Sequence, residues 1–227
     1  MGGNSHVIIQ ALMTPRSEVY WVSSTDTLAK ALSDLETYGF TTLPVLDEGR
    51  FMGVITRRII FETFFRGDEP DREQFLTENL VKDHIITDVQ VAHGSDFLDE
   101  VLFQFLESRY DFLPVLSGDR FTGIVTRNSV LNAFIKGAGL ETPSHRIAVP
   151  VSDFSGELAK LTTLISDHDA DILGIVSFDS KATNLKFVEI TVSTECFGPL
   201  VDALSSNGFG VRESRMAKRQ ASQGIPG

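Results

Sequence analysis

Apolar residues recur along the first 137 positions in two rhythms, one with helical spacing and one with the continuous character of buried strands. From Thr25, TDTLAKALSDLETYGF sets Leu28, Ala31, Leu32 and Leu35 on one helical face. Asp26 falls in the predicted first turn, where a carboxylate complements the helix dipole. TTLPVLD and RFMGVIT follow as short apolar strands, and a second helix is expected from Arg57 to Phe65. A strand-like piece, EVYWV around Val19, precedes the first helix. The same order then returns: DVQVA around Val89, a helical face of Leu98, Val101, Leu102 and Phe105 with Asp96 in the place of Asp26, the strands DFLPVLS and RFTGIVT, and a helix from Arg127 to Lys136. Pro44 and Pro114 sit near the starts of their strands, a position tolerated at a sheet edge. The unit is β-α-β-β-α, written twice.

The two copies match residue by residue. Leu43 to Arg57 reads LPVLDEGRFMGVITR and Leu113 to Arg127 reads LPVLSGDRFTGIVTR, identical at 9 of 15 positions with a constant offset of 70. A repeat of this kind is one supersecondary unit that needs its copy to bury its apolar face. Gly53 and Gly123 mark places where two backbones approach closely in a sheet, and Leu-Pro-Val-Leu reads as core.

Past this region the pattern changes. KGAGLETPS, Lys136 to Ser144, has the composition of a domain boundary. HRIAVPV, DILGIVSF and LKFVEITV read as strands, and GELAKLTTLISDHD as a helix with Leu158, Leu161, Leu164 and Ile165 inward. A second helix carries Pro199 in its first turn and Gly208 just past its end, and FGVRE is the expected last strand. The order β-α-β-β-α-β predicts a ferredoxin-like split arrangement. The organisation expected is α+β throughout: one module over 7–66, an acidic, solvated connector over 67–80, a second module over 81–137, a linker over 138–144, a third domain over 145–214 and a disordered tail over 215–227. An acidic docking or metal loop is the other reading of the connector.

Composition narrows the functions available. A formal net charge of −11 disfavours sequence-independent nucleic-acid binding and anionic membrane surfaces, both of which call for Lys and Arg. The single cysteine, Cys196, excludes an intramolecular disulfide and a cysteine metal cluster. MGGNSHVIIQALM lacks the basic flank and long apolar run of a signal peptide, and no segment reaches the roughly 18 apolar residues of a membrane span, so a cytoplasmic location is expected. SDHDAD, Ser166 to Asp171, reads as a solvated helix end rather than a metal loop. The five histidines are scattered and none pairs with Cys196, so no catalytic residue, metal site or required cofactor is expected.

The doubled motif resembles the paired cystathionine-β-synthase-type (CBS) modules, also called Bateman modules, over roughly residues 7 to 137. The matching residues are Leu43-Pro44-Val45-Leu46 with Gly53-Val54-Ile55-Thr56, and Leu113-Pro114-Val115-Leu116 with Gly123-Ile124-Val125-Thr126. Thr14, in LMT, and Thr87, in IIT, stand where each module opens. The resemblance implies two clefts that take adenosine nucleotides, AMP or ATP among them, as regulatory ligands. Thr14, Pro44, Val54, Thr56, Arg57, Thr87, Pro114, Ile124, Thr126, Arg127, Asn128 and Ser129 are the expected lining. A helix that starts right after a strand offers free N–H groups to a phosphate, and Thr56, Thr126, Arg57 and Arg127 add donors and charge. The family's ribose-holding Asp is replaced by Ile59 in the first module and Ser129 in the second, which leaves Ser129 or Asn128 as a weaker acceptor.

Residues 145–214 resemble an ACT domain, whose usual loop is Asp-x-Pro-Gly-x-Leu. Here it reads Asp153-Phe154-Ser155-Gly156-Glu157-Leu158, with Ser155 in place of Pro. The resemblance implies that Asp153, Ser155, Gly156, Glu157 and Leu158 hold an amino acid or related metabolite; the other reading of Asp153 is a helix cap. Paired modules followed by an ACT domain are similar to the acetoin-utilisation accessory proteins. That likeness implies a homodimeric, non-enzymatic sensor acting on a metabolic enzyme partner, its dimer formed by exposed apolar residues of the modules' helices. The alternative is a scaffold with degenerate clefts.

Overall fold

A computed structural model describes residues 9–67, 71–141, 144–152, 154–179, 185–211 and 213–216. The chain divides into two compact units, Met1–Leu131 and Asn132–Gly227.

In the first unit, the first copy of the repeat comprises β1 (Thr14–Pro15), β2 (Val22–Ser23), α1 (Leu28–Thr37), β3 (Thr42–Asp47), β4 (Arg50–Thr56) and α2 (Arg57–Arg66). The connector contributes α3 (Arg72–Glu78). The second copy comprises β5 (Ala92–His93), α4 (Leu98–Glu107), β6 (Phe112–Ser117), β7 (Arg120–Thr126) and α5 (Arg127–Gly137), the last running on into the second unit. One seven-stranded sheet runs β2-β3-β4-β7-β6-β5, and β1 pairs with β7 outside that path. The helical face expected of α1 is buried at all four positions; on α4, Val101 and Phe105 are buried while Leu98 and Leu102 pack more shallowly.

The two copies exchange their opening segments. Thr14 and Pro15 pair with Ile124 and Gly123 of the second copy's β7. Ile86, which opens the second copy, bridges to Val54 of the first copy's β4 through N–H···O bonds of 3.0 and 2.9 Å. The side chains follow the same exchange. Ile9 is fully buried in the core formed by Ala92, Val101, Leu113 and Val125, and Val81 is fully buried among Val22, Leu28, Leu43 and Ile55. Each such burial is worth roughly 1.5–3 kcal/mol. Backbone bonds repeat the symmetry: Ile9 and Gln10 donate to Asp96 and Gly94, while Val81 and Lys82 donate to Asp26 and Ser24. At the crossing points a side chain would intrude on the partner backbone. A Cβ on Gly53 would collide with the Ile86 carbonyl, and one on Gly123 with the Thr14 carbonyl. Gly53 also sits at φ +142°, closed to L side chains.

Several expectations need correction. Asp26 and Asp96 precede their helices; their carboxylates accept the Ser23 and His93 N–H groups at 2.8 and 2.7 Å and so shape the turns into α1 and α4. The strand pieces lie at 22–23 and 92–93, a few residues beyond Val19 and Val89. Pro44 and Pro114 lie within inner strands of the sheet. They are tolerated because the short ladders to β2 and β5 begin one residue later, at Val45 and Val115. The connector is not wholly solvated: Asp71 caps α3, and Phe75 is buried against the first copy's core.

The second unit contains β8 (His145–Ser152), α6 (Glu157–Ser166), β9 (Asp171–Asp179), β10 (Leu185–Ser193), α7 (Phe197–Ser206) and β11 (Glu213–Met216). Its sheet runs β11-β8-β10-β9, antiparallel throughout, the order of the split β-α-β arrangement. Leu161 and Ile165 of α6 are buried against Ile147, Val149 and Ile190 as expected, whereas Leu158 is exposed. The last strand begins at Glu213, beyond FGVR, and Phe209 of that stretch packs into the core instead. Residues 138–141 are not a free linker, since Ala138 is buried and its carbonyl accepts the Thr191 hydroxyl at 3.0 Å. The disordered tail expected over 215–227 is corrected at its start, since Arg215 and Met216 belong to β11 and pair with Arg146 and His145 of β8; from 217 onward it lies outside the described residues. Among those described, no helix is long and apolar enough to cross a membrane.

Gly123→Ala is expected to lower the stability of the first unit by about 1–3 kcal/mol, since backbone rather than a flexible side chain must yield. Urea unfolding monitored by Trp21 fluorescence checks it, with Gly94→Ala, where an added Cβ meets only the Gln10 side chain in ordinary contact, as the comparison within the same unit.

Candidate functional site: two clefts at the seam of the repeat

The exchange of opening segments leaves two related clefts, both built from the two copies and both reached by Thr41 and Thr42. The first has a volume of about 510 Å³; Thr14, Pro44, Ile124, Thr126, Arg127 and Asn128 line it together with Glu18, Tyr20, Phe40, Asp111 and Phe112. The second, of about 600 Å³, is lined by Thr56, Arg57, Arg58, Ile59, Phe61, Glu62, Ile86, Arg109 and Tyr110. Eight of the twelve residues expected at these sites therefore converge, six in one cleft and two in the other. Val54, Thr87, Pro114 and Ser129 are not among the lining. Val54 and Pro114 are buried in the sheet, and Ile86 stands in the second cleft in place of the neighbouring Thr87.

The helix starts offer less to a phosphate than their sequence suggests. Thr56 Oγ1 accepts the Ile59 N–H at 3.1 Å, and Thr126 Oγ1 accepts that of Ser129 at 3.1 Å. The Arg57 and Arg127 amides donate to the Thr41 and Asp111 carbonyls at 3.2 and 2.8 Å. In the first turn this leaves only the amides of Arg58 and Asn128 uncommitted among the described hydrogen bonds. Ser129, expected to replace the ribose-holding Asp, instead donates its hydroxyl to the Thr126 carbonyl at 2.9 Å. Asn128 lines the cleft beside Thr126 and Arg127, whereas Ser129 does not.

Arg127 is likewise committed. Its guanidinium donates to the carbonyls of Phe105 at 2.7 Å, Ser108 at 3.1 Å and Tyr110 at 3.2 Å, and lies 5.0 Å from the Phe105 ring centre. It closes the C-terminal end of α4. Arg57, at the equivalent position, is exposed and has no ion pair among the described residues.

Three groups with shifted titrations, Arg58, Glu62 and Tyr110, line the second cleft. Arg58 and Glu62 are joined at 2.6 Å, which holds the carboxyl below its usual range and the guanidinium above its own. Loss of solvent around Tyr110 raises its phenol, and nearby Asp88 adds to this while Arg109 opposes it. The sequence reasoning missed Asp111, Tyr20 and Phe40 in the first cleft and Arg109 and Tyr110 in the second. Tyr20 lies well ahead of the repeated phrase, and the other four sit within four residues before it, where the copies differ.

In the second unit, Ser155, Gly156 and Leu158 are exposed. Gly156 occupies the cap of α6 in a left-handed conformation, and Glu157 pairs with Lys160 at 2.6 Å. Of these residues only Glu157 borders the nearby cavity of about 600 Å³, shared with Pro150, Asp167 and Phe209. Asp153 lies outside the described residues. Among those described, no group of His, Cys, Asp or Glu could hold a metal, and His168 of SDHDAD is bonded to the Leu164 carbonyl at 2.8 Å.

The family profile of the CBS domain matches residues 9–65 and 81–136. Residues 9–136 are a tandem pair of CBS domains. The chain is 26% identical over 131 residues to the A-adding tRNA nucleotidyltransferase of Geobacter sulfurreducens, covering 58% of this chain and 13% of that protein. It is 26% identical over 174 residues to the inosine-5′-monophosphate dehydrogenase of Methanocaldococcus jannaschii, covering 76% and 32%. The chain thus spans a third or less of the curated relatives it matches. Among solved structures, a CBS domain-containing protein of unknown function from Bacillus anthracis aligns with TM-score 0.51 and 25% identity, over 57% of this chain and 94% of that one. CbpB in complex with c-di-AMP shares the fold, with TM-score 0.51 and 23% identity over 56% and 83%.

Because Arg127 caps a helix of the CBS pair, Arg127→Ala is expected to destabilise the first unit by about 1.5–3 kcal/mol. Arg57→Ala is expected to change it by less than about 0.5 kcal/mol. Equal losses in urea unfolding would contradict the assignment.

Proposed function

We propose that the protein is a regulatory sensor in which the CBS pair holds an adenosine-type nucleotide and reports its presence to a metabolic partner. The observation that carries this reading is the composition of the clefts. Each is walled by both CBS domains, so a ligand within one contacts both copies and favours the inter-domain angle that fits it. Only such differential affinity shifts a population and can be transmitted. The known fold-mate CbpB is seen with c-di-AMP. No required cofactor and no catalytic step belong to this reading.

The second unit is proposed as an ACT domain taking an amino acid or related metabolite. Its β-α-β-β-α-β order supports this, as does the exposed turn of Ser155 and Gly156 at the start of α6. A homodimer is supported by apolar side chains left in solvent on the CBS helices: Phe65 at 78%, Phe103 at 68% and Leu106 at 79% exposure. The second reading, a scaffold without ligand, draws on Ile59, which lines a cleft where the family places Asp.

Thermal unfolding of the full chain with AMP, ATP, NAD and S-adenosylmethionine separates the two. A sensor is stabilised by about 2.7 kcal/mol at 100 times the dissociation constant of its ligand. Unchanged unfolding with every compound would favour the scaffold.

A further inference from the structure

The two CBS clefts share their backbone plan but not their charge. Both contain a Thr-capped helix start and one uncommitted first-turn amide, so the backbone does not distinguish them as anion sites. The side chains do. The second cleft holds Arg57, Arg58 and Arg109 against Glu62, a net of +2, and Arg57 and Arg109 have no ion pair among the described residues. The first holds Glu18 and Asp111 against Arg127, a net of −1, and that guanidinium is spent on three backbone carbonyls. At the offset of 70 that relates the copies, Arg58 corresponds to Asn128, Arg109 to Gly39 and Asp111 to Thr41. The copies are alike in their strands and differ in these charged residues, so the net charges of the two clefts have opposite sign.

Resting on the adenosine reading above, we propose that the clefts are sorted by phosphate. The second takes the phosphate-bearing ligand, a nucleoside polyphosphate, and the first takes a nucleoside without phosphate and excludes polyphosphates. Exposed guanidinium groups pair with phosphate oxygens through charge-assisted bonds. Two carboxylates in a cleft of similar size repel the same group. They suit ribose hydroxyls, which donate hydrogen bonds to a carboxylate. Asp111 thereby takes from the strand side the part that Ser129, bound up in its helix cap, leaves open.

The test is calorimetric titration of the full chain with ATP, adenosine and inorganic pyrophosphate. The variants are Arg57→Ala/Arg109→Ala and Glu18→Gln/Asp111→Asn, each first shown to unfold at the wild-type midpoint. The proposal expects one ATP per chain, with affinity for ATP and pyrophosphate falling at least about tenfold in the arginine variant while adenosine binding is unchanged. It expects adenosine affinity to fall in the carboxylate variant and ATP stoichiometry to rise from one to two. Two equivalent ATP sites in the wild type, or pyrophosphate binding indifferent to Arg57 and Arg109, would overturn it even if adenosine compounds bind. Arginine-dependent pyrophosphate binding with no response to adenosine would uphold the anion site and sink the adenosine reading instead.

Discussion

Two backbone crossings, Gly53 against Ile86 and Gly123 against Thr14, hold the first unit together. At each, the segment that opens one copy of the repeat lies across the last strand of the other copy. The contact requires the absence of a Cβ and is secured by main-chain pairing. The apolar residues just before each crossing, Ile9 and Val81, are then carried into the opposite core. Neither copy can complete its core from its own consecutive residues, which is why the repeat occurs as a pair.

The same exchange makes the clefts. The crossings bring β1 beside β7 and Ile86 beside β4, so each helix start comes to face residues of the other copy. The helix starts are pinned by their own Thr caps and by the Thr41 and Asp111 carbonyls, which fixes the cleft walls but consumes donors. Ligand chemistry is therefore left to side chains: the exposed Arg57 at the end of the repeat, and the residues flanking it, in which the two copies diverge.

The doubled strand pair and the helical face of α1 were legible in the sequence because apolar periodicity and near-identity over Leu43–Arg57 and Leu113–Arg127 act locally. The reading of Gly53 and Gly123 as close backbone approaches also agrees with the structure. What eluded the sequence was long-range. The acidic residues around Phe75 masked a buried aromatic, and nothing local indicates that Ile9 belongs with Val101 rather than Leu28. Arg57 and Arg127 look equivalent in the repeat. They differ because the last turn of α4 and the segment after it turn the Phe105, Ser108 and Tyr110 carbonyls toward Arg127. Asp26 and Asp96 satisfied the rule for a helix's first turn, yet a closer donor, the amide three residues earlier, captured both carboxylates.

Native-state hydrogen exchange on the full chain tests the exchanged architecture most directly, read at the amides of Val45 and Val115, one in each core. If each copy completes the other, both amides open with one shared free energy, and Ile9→Ala lowers both together although Ile9 lies in sequence beside the first copy. Two distinct opening energies, with Ile9→Ala lowering only one of them, would contradict the account.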